Sequence, residues 1–152
     1  MDSEDQDNIV EIWTDGGCKP NPGPGGWAAI MKFKGVVREL SGGAGDTTNN
    51  RMELTAAAEA LSALKRPCIV KLHTDSEYLK NGITRWHQGW VRKNWRSSTG
   101  DPVKNMDLWQ RILEAAKPHK IEWLWVKGHS GNPMNERADE LATAAREGLK
   151  ES

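Results

Sequence analysis

Two short stretches of the chain share one pattern, an alternation of apolar and polar residues that ends in Thr-Asp. The first runs from Val10 to Asp15 and the second from Val70 to Asp75. Such alternation is typical of strands, because successive side chains of a strand point to opposite faces of a sheet. We therefore predict two strands whose terminal acids face away from their apolar residues. If these strands are parallel neighbours, both carboxylates emerge at the same sheet edge.

The proximity of Asp15 and Asp75 would be costly. Neighbouring carboxylates repel each other, and the pKa of at least one rises unless a positive group lies between them. This cost favours a metal-ion site. For either acid alone, a turn or capping role remains open, because Asp15 precedes Gly16 and Asp75 precedes Ser76.

Two further acids lie on predicted helices. Glu53 falls on the apolar stripe of a helix predicted from about Thr48 or Asn50 to Leu64, although its spacing from Asn50 also resembles a capping box. Asp139 lies in the third turn of the last predicted helix, too deep to be a cap. If all four carboxylates converge, their charge of about −4 suits two divalent cations, which prefer oxygen ligands.

Length and composition limit the possible classes of protein. At 152 residues the chain predicts one domain, residues 9–148, after a disordered acidic tail at 1–8 and before a short C-terminal end at 149–152. Lys plus Arg equals Asp plus Glu at 21 each, so net charge does not identify a partner. Two cysteines, no apolar run of membrane length and no signal core predict a cytoplasmic protein without a membrane segment.

The remaining pattern predicts a mixed α/β fold, in which an antiparallel meander joins parallel strands and helices pack on the sheet. A Gly-rich connection is predicted at 41–46, and a polar, basic, Trp-rich segment lies at 84–104. The predicted elements are strands at 9–15, 27–33, 36–41, 68–74 and 120–126, a short helical region at 76–83, and helices at 105–117 and from Asn132 and Pro133 through Arg146.

Several ordered motifs resemble type 1 ribonuclease H over about residues 8–147. They are Thr14-Asp15-Gly16, Asn49-Asn50-Arg51-Met52-Glu53, Thr74-Asp75-Ser76, Pro102-Val103-Lys104-Asn105-x-Asp107-Leu108-Trp109 and Gly128-His129-x-Gly131-x-Pro133-x-Asn135-Glu136-x-Ala138-Asp139. The resemblance implies a five-stranded mixed sheet in the order 3-2-1-4-5 with helices on both faces. It also implies endonucleolytic hydrolysis of the RNA strand of an RNA–DNA hybrid.

The same resemblance implies the catalytic roles. Asp15, Glu53, Asp75 and Asp139 become ligands of two Mg²⁺ ions, with Mn²⁺ as a possible substitute. The ions would promote in-line attack by water and leave 5′-phosphate and 3′-hydroxyl ends. His129 becomes a loop residue that assists proton transfer or product release, since its ordinary pKa suits proton exchange near neutral pH.

Matched positions also imply how the RNA strand is recognised. Cys18, Asn21, Asn49 and Asn50 match positions that read the 2′-hydroxyl, the group that distinguishes RNA from DNA. Glu77 stands where the family commonly has Gln, and an ionised carboxylate only accepts hydrogen bonds. Outside the resemblance, the asparagines are ordinary turn and cap residues.

The DNA strand is expected to contact a second group of residues. Trp86, Trp90, Arg92 and Lys93 would pack on deoxyribose or bases and neutralise phosphates. Thr48 and Asn105, with Trp86 nearby, match a pocket that grips a DNA phosphate. An alternative for Trp86 and Trp90, which are four residues apart, is a shared helix face packed on the core.

Two other classes remain open from the residues alone. A resolvase, integrase or exonuclease with the same fold would carry a similar acid cluster. A non-catalytic hybrid-binding module would predict a broken acid set, whereas the set is intact here. We expect a monomer whose partner is an RNA–DNA hybrid.

Overall fold

The computed structural model describes residues 8–126 and 132–151. Residues 1–7, most of the predicted tail, lie outside this range. The elements are β1 (Ile9–Cys18), β2 (Gly23–Phe33), β3 (Val36–Thr47), α1 (Asn49–Ser62), β4 (Ile69–Thr74), α2 (Glu77–Asn81), a π-helical turn (Gly82–Trp86), α3 (His87–Arg92), α4 (Met106–Ala116), β5 (Lys120–Trp125) and α5 (Pro133–Glu151).

The five strands form one sheet in the order β3-β2-β1-β4-β5, which confirms the predicted order. β1 pairs antiparallel with β2 and parallel with β4, while β4 also pairs parallel with β5. Ile12 lies opposite Leu72 and Trp13 opposite His73. This register carries the ends of β1 and β4 to the same edge of the sheet.

Each face of the sheet has its own apolar core. On one face Ile12 and Leu72 are completely buried with Leu54 of α1 and Trp109 of α4. On the other face Trp13 and Ile30 pack against α5. The predicted helices on both faces are therefore confirmed, and the alternation of β1 follows the sequence pattern.

Several predicted boundaries are wrong. β1 does not end at Asp15 but continues to Cys18, because Gly16 to Cys18 also pair with β2. Residues 41–46 are not a connection but the second half of β3, paired with β2, which itself begins at Gly23 rather than 27. The glycines permit this pairing because the chains approach closely: a Cβ at Gly25 would lie 2.6 Å from the Cγ2 of Thr47. The last helix continues beyond Arg146 to Glu151. In the described part of the chain, no helix is both long and apolar enough to cross a bilayer.

Candidate active site

Three of the predicted acids meet at the sheet edge. One carboxylate oxygen each from Asp15, Glu53 and Asp75 lies within 4.8 Å of the others. Asp15 lies in β1, Glu53 lies in α1, and Asp75 directly follows β4. Asp139 of α5 lies close enough to Asp15 for their carboxyl groups to share a hydrogen bond. Four acids that are distant in the sequence therefore lie together.

The helix-capping alternatives do not account for Glu53 or Asp75. The N-cap of α1 is Thr48, whose Oγ1 accepts a hydrogen bond from the Arg51 N–H at 3.1 Å, so the capping-box interpretation of Glu53 is wrong. Likewise, Ser76 rather than Asp75 caps α2, through a 3.1 Å bond from the Leu79 N–H. The carboxylates are therefore not used as helix caps.

The electrostatic cost predicted for the cluster is present. Burial, followed by the hydrogen bond to Asp139 and the charge of Asp75, raises the pKa of Asp15 from 3.8 to about 7. Burial and then the charges of Asp15 and Asp75 raise the pKa of Glu53 well above its ordinary value. The Oε2 of Glu53 is buried without a hydrogen-bond partner among the described residues. An all-oxygen donor set with an unsatisfied buried carboxylate oxygen fits a hard divalent cation.

Gly16 allows β1 and α1 to approach closely enough to bring Asp15 beside Glu53. A Cβ at Gly16 would lie 2.5 Å from the carbonyl carbon and oxygen of Met52 and 2.7 Å from the Glu53 nitrogen. These are backbone atoms, which cannot rotate away. A side chain here would have to move α1, and with it Glu53.

We expect Gly16→Ala to lower the free energy of unfolding by about 3 kcal/mol, the upper range for an overpacked core site. Cleavage should fall as well, because the carboxylates would separate. Gly148→Ala is the control, since Gly148 lies in α5 with nothing within 4 Å of an added Cβ. Urea denaturation of the two variants is the measurement, and equal stability of the two would contradict the close approach.

The acids line one side of a groove of about 480 Å³. Cys18, Asn49, Asn50 and Glu77, all predicted to contact substrate, also line it. Other groups along the groove are Gly16, Gly17, Gly26, Ser76, Tyr78, Ala142, Thr143 and Arg146. The groove therefore combines a strongly acidic floor with small polar groups.

Three of the predicted RNA-contacting residues form one hydrogen-bonded group. The Cys18 N–H donates to Asn49 Oδ1 at 2.8 Å, and the Asn49 N–H donates to Asn21 Oδ1 at 3.2 Å. The Cys18 thiol also donates to Asn21 Oδ1 at 3.2 Å. Burial raises the pKa of this thiol, so it remains a donor at neutral pH. The network fixes the end of β1 against the start of α1.

Thr48 and Asn105 are joined through Arg51, which sequence reasoning did not single out. Arg51 binds Thr48 through its backbone, and its Nη1 donates to Asn105 Oδ1 at 3.1 Å. Its guanidinium also pairs with Asp107, at 2.8 Å from Nη2 to Oδ2. Asn105 in turn donates to the Tyr78 hydroxyl at 3.1 Å. Arg51 lies within the Asn49–Glu53 motif of the sequence, and this position was the signal that could have identified it.

The two tryptophans differ in environment. Trp90 is half-buried against the core, with its ring 5.2 Å from that of Trp109, which supports the packing interpretation for this residue. Trp86 is 38% exposed, and its ring lies 5.8 Å from that of Tyr78. Arg92 and Lys93 are exposed at the end of α3. His129 lies outside the described residues.

Comparison with known proteins agrees with this geometry. The RNase H family model matches residues 7–147. The ribonuclease H of Gluconobacter oxydans (strain 621H) is 76% identical over 140 residues, which cover 92% of this chain and 93% of that protein. The crystal structure of LC9-RNase H1, a type 1 RNase H with the type 2 active-site motif, matches with a TM-score of 0.81 at 32% identity, covering 93% of this chain and 73% of that one. LC11-RNase H1, solved in complex with an RNA/DNA hybrid, matches with a TM-score of 0.68 at 25% identity, covering 93% and 99%.

Proposed function

The chain belongs to the type 1 ribonuclease H family and cleaves the RNA strand of RNA–DNA hybrids, and we propose that this hydrolysis takes place in the groove that contains Asp15, Glu53, Asp75 and Asp139. The observation that carries the proposal is the meeting of three carboxylate oxygens within 4.8 Å. The fourth acid, Asp139, contacts Asp15.

The cofactor we propose is a pair of Mg²⁺ ions, with Mn²⁺ as a substitute. When bound, divalent cations supply an activated water and stabilise the departing 3′ oxygen, which leaves 5′-phosphate and 3′-hydroxyl ends. Asp15, Glu53, Asp75 and Asp139 would hold the cations. The unsatisfied Oε2 of Glu53 supports this role, because a buried carboxylate oxygen without a partner is costly unless a cation compensates it.

The RNA strand would lie along the rim formed by Cys18, Asn21, Asn49 and Asn50. The amide oxygens of Asn21 and Asn49 already accept hydrogen bonds from the protein, so their NH₂ groups are available to donate to a 2′-hydroxyl. Glu77 also lines the groove and is exposed, and an ionised carboxylate there would accept from the same kind of group. Recognition through both donors and acceptors suits a hydroxyl.

The DNA strand would contact Trp86, Arg92 and Lys93, which are exposed, and a phosphate would lie beside Thr48 and Asn105. Arg51 joins these last two residues through hydrogen bonds, while its charge is paired with that of Asp107. We propose Trp90 only as the packed support of Trp86, since their rings lie 5.9 Å apart. The protein solved with a hybrid has the same fold over 93% of this chain.

Cleavage of an RNA–DNA hybrid, duplex DNA and duplex RNA in Mg²⁺ tests the function directly. We expect cleavage of the hybrid alone, with 3′-hydroxyl ends that a polymerase extends without prior phosphatase treatment. Cleavage of duplex DNA would favour the resolvase or exonuclease type, and binding of the hybrid without cleavage would favour a non-catalytic module. Repeating the assay with Mn²⁺ alone tests the proposed substitution.

We propose that His129 assists proton transfer or product release. His129→Ala should lower kcat by about 10²-fold, the lower range for loss of a positioned acid or base, without weakening metal binding. Turnover and Mg²⁺ titration by calorimetry are the measurements. A variant that neither turns over nor binds the ion would contradict the proposed role.

A monomeric state and a cytoplasmic location complete the proposal. The acid cluster is assembled from a single chain, which is consistent with activity as a monomer. Both statements are predictions that gel filtration and cell fractionation would test.

A further inference from the structure

The groove contains one basic side chain among its described lining residues, Arg146. Asp139, Ala142, Thr143 and Arg146 occur at helical spacings of three, four and seven and all line the groove. Two turns of helix, about 10 Å, separate Arg146 from Asp139 along α5. The backbone of Arg146 therefore lies two turns away from that of Asp139 on the same side of α5.

The position of Arg146 is fixed by close packing of α5 on β2. A Cβ at Gly26 would lie 2.8 Å from the backbone nitrogen of Arg146. Gly26 pairs with Gly17, next to Cys18, whose thiol is close enough to Arg146 to feel its charge. Arg146 thus belongs to the side of the groove where the RNA strand is proposed to lie.

The guanidinium has little to bind within the protein. Its side chain is 21% exposed, and its closest carboxylate among the described residues is Glu147, at 3.8 Å from Nη2 to Oε1. That distance exceeds a hydrogen bond. Five N–H donors without a hydrogen bond to any described residue, at the wall of a groove that receives a polyanion, are arranged to bind an anion.

We propose that Arg146 binds a phosphate of the RNA strand next to the scissile linkage and so holds that strand against the acid cluster. This inference rests on the proposed function. Divalent cations between the four acids would neutralise the scissile phosphate but not its neighbours. A phosphate that passes an acidic surface is repelled unless a fixed positive charge lies beside it. Arg146 supplies that charge in a geometry that suits bidentate contact.

Steady-state kinetics in Mg²⁺ on the hybrid test the inference. Arg146→Gln, which keeps most of the side-chain volume, should raise KM about tenfold and leave kcat within about twofold, because the contact is made before and during the reaction. The slope of log(kcat/KM) against log salt should become shallower by about 0.7 to 0.9 for one lost phosphate contact. Arg146→Lys should recover part of the loss in KM.

Arg137→Gln is the matched control on the same helix. Arg137 is engaged with Glu39 at 2.8 Å and with Glu140 at 3.1 Å, and it does not line the groove. Its loss should change stability but neither KM nor the salt slope. An Arg146→Gln enzyme with unchanged KM and salt slope, or an equal effect from Arg137→Gln, would overturn the inference while leaving hybrid cleavage intact.

Hybrids with a single neutral methylphosphonate linkage identify the phosphate. We expect one RNA-strand position near the cleavage point at which the substitution raises the KM of the unmodified enzyme but not that of Arg146→Gln. Such a position on the DNA strand, or the absence of one on either strand, would contradict the proposal. Failure of the unmodified enzyme to cleave any hybrid would instead count against the proposed function.

Discussion

The Asp15→Asn enzyme is expected to lose at least about 10³-fold in kcat on a hybrid, since a bound cation supplies several kcal/mol of transition-state stabilisation. Asp15 is central to the cluster: it lies within 4.8 Å of Glu53 and Asp75 through its carboxylate and also contacts Asp139. An amide keeps the shape of the side chain but removes its negative charge. The substitution therefore separates a loss of charge from a loss of packing.

Single-turnover cleavage with saturating enzyme is the measurement, because it reports the chemical step without product release. Glu122→Gln is the control, since it removes one negative charge from an exposed position on β5. That variant should cleave at the unmodified rate. An Asp15→Asn enzyme with near-normal turnover would remove Asp15 from the set of cation ligands and with it the proposed mechanism.

The second large effect concerns the protein without divalent cations, which should lose stability as pH rises. The pKa of Asp15 is 3.8 in the unfolded chain and about 7 in the folded protein. The folded protein therefore holds this proton more tightly. Its stabilising contribution is complete below pH 3.8 and is lost as pH rises through about 7. The difference corresponds to up to about 4 kcal/mol, and Glu53, with a raised pKa of its own, acts in the same direction.

Urea denaturation in EDTA between pH 4 and pH 9 measures this loss. Comparison with Asp15→Asn isolates the contribution of Asp15 together with its effect on Glu53, because titrating groups away from the cluster contribute equally to both proteins. As pH rises, the unfolding free energy of the unmodified protein should fall relative to that of Asp15→Asn, so that Asp15→Asn is the more stable protein at pH 8. Mg²⁺ should stabilise the unmodified protein at pH 8 in proportion to the logarithm of its concentration. A pH-independent difference between the two proteins would show that the pKa of Asp15 is not raised in the folded protein.

The arrangement explains why such an unstable cluster can persist. Ile12, Leu72 and Leu54 are completely buried beneath the strand ends, so the fold has a source of stability separate from the site. Four acids at a sheet edge cost part of that stability when no cation is bound. Residues that bind ligands commonly conflict with the local requirements of folding.

Much of the fold could be predicted from the sequence because it depends on local patterns. The alternation in Val10–Asp15 and Val70–Asp75 identified two strands. Asn132 caps the last helix as expected, accepting from the Met134 N–H at 2.8 Å. The Gly-rich residues 41–46 could not be assigned in this way. Glycine has no side chain that favours a strand, and only cross-strand pairing with β2 determines the conformation there.

For the candidate site too, some features follow from the sequence and others only from the tertiary structure. The sequence by itself determined which residues are candidates for the chemistry, because the identities and order of the acids, of His129 and of the asparagines are properties of the chain. Only the tertiary structure decided that Glu53 is free of capping, that Arg51 joins Thr48 to Asn105, and that Arg146 lies on the groove wall. The physical reason is the separation along the chain over which each interaction acts. Periodicity and caps act over a few residues, whereas these contacts are set by how β2 packs on α5 and how Gly16 packs on α1.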